Sequence, residues 1–557
     1  MAQRSVEACV ATVADQRSLK LLCFLAWLCL VLVSTAHHAF WRDEVRALSL
    51  ARQGDGVIDM LRAIHGEGHP AIWYLLLRGA SAALGASLAL PTVSIVIAGA
   101  AMLLLVLRSP FRLWVIGLLL LGKFALFEYS VMARNYGISM LCMFLLAEFY
   151  PRHRHHGILL GVLLFCLANT NAHSVLLTGA FLVFWVIDLI LEQGLRWTPL
   201  VRTFLRNAGI AGLGVVACGL TLYPPFNDAA VRDDHELSLR LLANAVVLPG
   251  KSFSELVLDL PLRTVGWPPL VHCAVIALTS AVLYASMLGL LRRPAAFVAA
   301  LVSLVGFSLF FVVIYPGFYR HEALWLAFLV MLYWITLARD TASPAAVGRF
   351  SRLLAPLSVA GSLSAILLVT MQVPTGLHTI TQAMFGAPPL SRARDLGAFV
   401  LAHPDLRQAI IIGDPDFLVE ALPYYIPNRT YLLREQRFGN VVRFTKNARL
   451  SLSLEDILTT ARTLRAETGQ PVLIMLTQKL DRSAPARTEH EGFNWELQID
   501  PAQVDAFLRA TRFVANFSPA SRDEFYDVYE FDAPSPDAEA PRSSTPDARQ
   551  TVPQEDQ

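Results

Sequence analysis

Apolar runs long enough to cross a bilayer succeed one another along the chain: 19–39, 88–107, 111–128, 133–150, 157–171, 173–192, 203–224, 269–291, 296–315, 322–338 and 354–373. A helix of roughly 20 apolar residues spans the hydrocarbon core. Lipid offers backbone groups no partners, so such runs must cross as helices that satisfy their own hydrogen bonds. The pattern predicts an α-helical polytopic membrane protein of about eleven spans. Of 557 residues, 55% are hydrophobic and only 16% charged, far from the balance of a soluble domain. A net charge of +2 leaves no basic footprint for nucleic acid. The 7 cysteines are scattered and form no CxxC pair, so neither a disulfide framework nor a thiolate metal site is indicated. The first run ends in no small-residue cleavage pattern and reads as a retained anchor.

Basic residues orient these spans. Arg4, Arg17 and Lys20 precede the first; Arg108 and Arg112 follow the second; Arg152 to His156 follow the fourth. Arg196, Arg202 and Arg206 follow the sixth, Arg292 and Arg293 the eighth, and Arg339, Arg349 and Arg352 the tenth. All fall on one side, which the positive-inside rule makes the cytoplasm. The expectation is a multi-pass protein of the plasma (inner) membrane with a cytoplasmic N-terminus. An external loop 37–87, the stretches 128–136, 169–173, 223–267 and 315–322, and everything after 374 then lie outside. The segment 71–86 is short and carries Arg78, so it is expected as a re-entrant or interfacial helix.

The organisation expected is a membrane domain over 1–373, a small extracytoplasmic α/β domain over 374–532, and a Pro-, Ser- and acid-rich disordered tail over 533–557. In the second part, helical patterns at 392–403, 454–467 and 501–511 alternate with strand patterns at 408–412, 430–433, 471–476, 513–517 and 525–531, which predicts a mostly parallel sheet. Ile412-Gly413-Asp414-Pro415 ends a strand, the usual place for ligand contacts in such sheets. Its lone glycine is no dinucleotide fingerprint.

The first external loop is a polar island: His37, His38, Trp41, Arg42, Asp43 and Glu44, then His65, Glu67, His69 and Pro70. Ionisable groups at a membrane rim are costly without a task. Trp41, Val45 and Leu48, and likewise Val57, Met60, Leu61 and Ile64, have helical amphipathic spacing, as of helices lying along the membrane surface. Asp43 could equally cap or solvate such a helix. His65, Glu67 and His69 alternate in a way that could hold a divalent metal, and the glycines between them argue equally for a turn. Arg134, Arg320 and His321 could snorkel to lipid headgroups, and His173 could be structural.

In this setting the island resembles the GT-C superfamily of integral membrane glycosyltransferases, above all the branch of protein O-mannosyltransferases and the lipid A aminoarabinose transferase. That branch carries an acidic pair in the first external loop, matched by Asp43-Glu44. A His-Pro-Pro-Leu-Tyr-Tyr-like stretch follows it, matched by His69-Pro70-Ala71-Ile72-Trp73-Tyr74, where Ala71 departs from the second proline. An Arg-x-Tyr at the outer end of a later helix is matched by Arg134-Asn135-Tyr136. The motifs cover some 40 residues, the architecture about 370.

The resemblance implies a sugar donor on a polyprenyl phosphate and an acceptor that is an extracytoplasmic glycan, lipid or protein. Such a phosphate leaves without an acid, so one base for the acceptor hydroxyl suffices. Asp43 is the expected base, with Glu44 binding acceptor, holding a metal or pairing with Arg42 or Arg46. Arg134, Tyr136, Arg320, His321, His69 and His173 are expected around the donor phosphate. Glu67 and His69 are the metal candidates, with the metal itself unknown. The alternative is a polytopic transporter or lipid flippase with a soluble external domain.

Overall fold

The computed structural model describes residues 2–65, 67–223, 238–258, 268–340, 349–385, 388–491 and 494–531. The expected tail 533–557 lies outside these residues, as do 224–237 and 259–267 of the loop between the seventh and eighth spans.

The chain opens with α1 (Ala2–His37), then the short α2 (Arg42–Ala51), α3 (Val57–Ala63) and α4 (Ala71–Leu84). The bundle continues with α5 (Ala86–Arg108), α6 (Leu113–Leu121), a π-helical turn Phe124–Glu128, α7 (Tyr136–His153) and α8 (Leu159–Ala168). Next come α9 (Ala172–Gln193), α10 (Pro199–Leu222), α11 (Leu239–Val247) and α12 (Ser254–Leu258). The helices α13 (Pro269–Met287), α14 (Pro294–Val313), α15 (Tyr319–Asp340) and α16 (Arg349–Phe385) complete it. Among the described residues, 8 helices are long and apolar enough to cross a membrane, so the chain is a multi-pass membrane protein. The other expected spans are shorter or interrupted: 111–128 divides into α6 and the π turn, 133–150 is α7 with its polar end, and 157–171 is only α8. α15 is the most enclosed span, 83% buried, with Trp325 and Trp334 packed inside the bundle.

α4, at 14 residues, is too short to cross alone. Its Arg78 guanidinium donates to the carbonyls of Ala51, Gln53 and Gly54 and closes the turn after α2. The apolar face of α2 is covered within the protein: Trp41, Val45 and Leu48 are buried, and α4, α5 and the C-terminal domain pack against this helix. The face of α3 is divided: Met60 and Ile64 are buried, whereas Val57 and Leu61 are exposed.

α16 runs to Phe385, and the α/β part begins at α17 (Ala393–Ala402). It holds β1 (Ile410–Asp414), β2 (Thr430–Leu432), β3 (Arg437–Phe438), β4 (Ser451–Ser453), α18 (Leu454–Thr468), β5 (Val472–Leu476), β6 (Arg487–His490), β7 (Glu496–Ile499), α19 (Pro501–Ala510), β8 (Thr511–Phe517) and β9 (Tyr526–Phe531). The main sheet has the order β3-β2-β1-β5-β9-β8 and is mixed, not mostly parallel. Only β1 pairs parallel with its neighbours β2 and β5; a short loop joins β8 to β9, and a hairpin must run antiparallel. Both faces of β1 and β5 are buried, one under α17 and the other under α18 and α19. Asp414 does end β1, but its carboxylate is fully buried and takes Arg434 Nε at 3.1 Å and Nη2 at 2.8 Å. It is a core ion pair.

Candidate active site

Several helices start at one place. Arg42 opens α2, Ala71 opens α4, Tyr136 opens α7, Ala172 opens α9 and Tyr319 opens α15. Around their N-termini lies a cavity of about 850 Å³, roofed by the C-terminal domain. Helix N-termini carry unpaired N–H groups and partial positive charge, so their convergence favours an anion.

The local sequence fixes each residue there. Asn171 caps α9 by accepting Ser174 N–H at 2.9 Å, which sets His173 at the cavity edge. Asn171 Nδ2 also donates to Ser139 Oγ of α7 at 2.9 Å, locking the two helix starts together. The loop before α7 folds back so closely that a Cβ at Gly137 would lie 2.8 Å from the Tyr129 carbonyl oxygen. Tyr129 Oη donates to the Arg320 carbonyl at 2.7 Å, which ties this loop to the start of α15.

Asp43 and Arg134 meet in the cavity as a hydrogen-bonded ion pair. Arg42 Nε stands 3.7 Å from the other Asp43 oxygen. Burial alone would push the Asp43 carboxyl up; Arg134, Arg42 and Arg320 outweigh it and hold the group well below the usual carboxylate range. Its side chain keeps 26% of its surface open to the cavity. Arg320 lies 5.0 Å from the Phe318 ring centroid, and its Nε is buried without a hydrogen-bond partner. Arg134 in turn faces the Tyr136 ring at 5.6 Å.

His173 and His321 stack with centroids 4.6 Å apart, inside a cage that includes Phe310 and Phe311. His321 Nδ1 accepts Phe318 N–H at 3.1 Å, and His173 Nε2 is buried without a partner. His69 also lines the cavity. Burial, with Arg134 facing it, pushes its imidazole down to about 4. The cavity thus brings together Asp43, His69, Arg134, Tyr136, His173, Arg320 and His321.

Glu44 is not among them. It is fully buried, its Oε2 lies 2.9 Å from His38 Nε2, and its Oε1 accepts Ala133 N–H at 2.6 Å. One residue along a helix is a turn of about 100°, so Asp43 faces the cavity and Glu44 faces inward. Glu44 pairs with neither Arg42 nor Arg46. Glu67 does line the cavity, but both its oxygens are taken by Arg46, at 2.9 Å from Nε and 2.5 Å from Nη2. His69 Nδ1 turns to the Glu67 carbonyl at 3.3 Å. Among the described residues no group of 3 or more His, Cys, Asp or Glu side chains could hold a metal ion.

The C-terminal domain contributes residues that sequence reasoning missed: Glu420, Phe444, Ser521, Arg522 and Asp523 all line the cavity. Glu420 takes the second face of Arg46 and accepts Val442 N–H at 2.8 Å. Burial pushes its carboxyl up, against the pull of Arg46. Nothing in the spacing of these residues marks them.

No protein-family model and no curated protein sequence matches the chain. Among solved structures it is similar to ArnT from Cupriavidus metallidurans in the apo state, with 15% identity and a TM-score of 0.41 over 94% of this chain and 98% of that one. It is similar as well to ArnT from Cupriavidus metallidurans bound to undecaprenyl phosphate, with 13% identity and a TM-score of 0.35 over 93% of this chain and 98% of that one. Likeness this distant assigns neither an activity nor a residue's role.

Proposed function

We propose that the protein is a membrane glycosyltransferase that moves a sugar from a polyprenyl-phosphate-linked donor to a hydroxyl of an extracytoplasmic acceptor, with inversion. The observation that carries this reading is the Asp43–Arg134 pair, a carboxylate and a guanidinium facing each other in a cavity ringed by helix N-termini. A base and an anion site side by side are what the reaction needs.

In the reaction, the acceptor oxygen attacks the anomeric carbon from the face opposite the phosphate. The bond from that carbon to the phosphate oxygen breaks, its electron pair leaves with the polyprenyl phosphate, and the acceptor proton passes to Asp43. Arg134 and Arg320 stabilise the departing phosphate, with His69, His173, His321 and Tyr136 beside it. Donor binding also tunes the base. Arginines that turn toward the phosphate release their hold on Asp43, whose proton affinity then rises toward that of an ordinary buried carboxylate.

In this reading residues 1–373 form the transferase domain and 374–532 an extracytoplasmic domain that closes the cavity. Orientation rests on charge. α7 starts at the cavity and ends in the basic cluster Arg152 to His156, roughly 27 Å away along its axis. That cluster belongs on the cytoplasmic side by the positive-inside rule, so the cavity belongs outside.

The test is mass spectrometry of envelope glycans, lipids and proteins from cells lacking the protein, with and without the gene restored. One sugar should disappear from one attachment point and return with the wild-type chain. An unchanged envelope, together with solute flux in proteoliposomes free of lipid-linked sugar, would favour a transporter.

A further inference from the structure

α2 carries Asp43 in its first turn, and Trp41 at its cap position supplies no side-chain cap. The first N–H groups of a helix lack intrahelical acceptors and must find them elsewhere. Arg42 N–H finds Glu524 Oε1 at 2.8 Å, from a residue 482 positions away in the loop between β8 and β9. Glu524 is fully buried. Asp523 beside it pairs with the Arg42 guanidinium at 2.9 Å, and Phe417 lies against that guanidinium at 4.1 Å. The loop is itself anchored: Arg392 N–H donates to the Glu524 carbonyl at 3.0 Å, and Ser521 N–H to the Pro389 carbonyl at 2.9 Å.

We infer that Asp523 and Glu524 of the C-terminal domain are positioning residues for Asp43: Glu524 caps its helix through the backbone N–H of Arg42, and Asp523 keeps the Arg42 guanidinium from closing further on it. The inference rests on reading Asp43 as the base. Without the cap, the turn that aims the carboxylate frays. Without Asp523, the Arg42 guanidinium, already 3.7 Å from Asp43 at Nε, is free to close on the carboxylate and block an acceptor. Capping needs an acceptor oxygen and not a charge. Burial pushes Glu524 up to about 8, against the pull of Ser391 and Arg42, so the neutral acid serves as well.

The experiment uses the full-length chain. Product is read as the restored envelope sugar in cells lacking the protein, and α2 is read by hydrogen–deuterium exchange of the purified protein. Glu524→Ala should raise exchange across Arg42–Arg46 about fivefold, the value of one lost cap. It should lower product about tenfold or more, as small misplacements of a reacting group do. Glu524→Gln, which keeps an acceptor oxygen, should restore both. Unchanged product in Glu524→Ala overturns the inference, as does lost product with unchanged exchange in α2, or equal loss in the Ala and Gln variants. Should Glu524→Ala fail to accumulate, Asp523→Ala decides. Asp523 is 48% exposed and tolerant, and a loss of about threefold supports the inference whereas unchanged product overturns it. Asp43→Asn separates the two readings. Normal product from it removes the base itself; no product from it beside normal product from Glu524→Ala removes only the positioning role.

Discussion

Glu44 accepts the backbone N–H of Ala133 at 2.6 Å, one residue before the arginine that pairs with Asp43. Two neighbours on α2 therefore grip two neighbours on the loop before α7, one grip through backbone and one through side chains. The inward grip is the structural one. Glu44→Ala would leave the His38 ring, Trp41 N–H and Ala133 N–H without their acceptor in a dry interior. At about 1–3 kcal/mol for each buried orphan, the variant should lose at least about 3 kcal/mol of stability and its product with it. Asp43→Asn, at the cavity wall, should lose product while unfolding within a few degrees of wild type. Thermal unfolding in one detergent orders the pair; equal losses would make Asp43 a second structural clamp.

The pH dependence of Asp43 has a definite sign. Its carboxyl is held below the ordinary value of 3.8, so its stabilising charge is present above that value and lost only as pH falls through the depressed one. Between pH 5 and 8, a window above both values, Asp43 of the free protein stays ionised and should contribute no acid limb to product formation at low donor concentration. Arg134→Gln removes the strongest opposing charge and leaves the upward push of burial. An acid limb should then move up by at least about one unit in the residual activity. A profile that does not shift would mean that Arg134 does not govern the Asp43 charge.

How much of this was legible in the sequence follows from what chemistry repeats along the chain. Runs of apolar residues announce spans because lipid forces helix, and the strand patterns of the C-terminal part recur as β1, β2, β5, β8 and β9 within a few residues. Parallel pairing did not follow from them, since strand direction depends on connections. Asp43 and Arg134 could be put on one side of the membrane by counting charges, yet their contact joins residues 91 positions apart. Asp43 and Glu44 are chemically alike, and only the helix rotation separates their tasks. Glu420 and Glu524 look like surface carboxylates of a soluble domain; docking against the island buries them.

His69 should be silent in the physiological range and visible below it. With its imidazole lowered to about 4 from an ordinary 6.5, the folded state binds fewer protons than the unfolded chain between those values. Stability should therefore fall as pH drops from about 6.5 toward 4, by at most about 3 kcal/mol from this group. His69→Gln should flatten that part of the stability curve. Denaturant titrations at a series of pH values check it, and an unaltered slope would remove His69 as the source.

Arg46 joins the membrane and C-terminal parts through Glu67 on one side and Glu420 on the other. Removing a cation from between buried carboxylates costs about 3–5 kcal/mol, because the charges left behind are uncompensated. Arg46→Met should loosen the C-terminal domain from the island, seen as faster hydrogen exchange and proteolysis near Phe417–Tyr425, while the spans remain folded. The loss should grow with pH. Burial already raises the Glu420 carboxyl, and without Arg46 it rises further, so the folded state favours the neutral acid and loses stability as pH climbs through the raised value. The variant should thus be weaker at pH 8 than at pH 5. Adding Glu420→Gln should remove that pH dependence and recover part of the loss, since the two residues act as one unit. Additive losses in the double variant would show that Arg46 and Glu420 do not depend on each other.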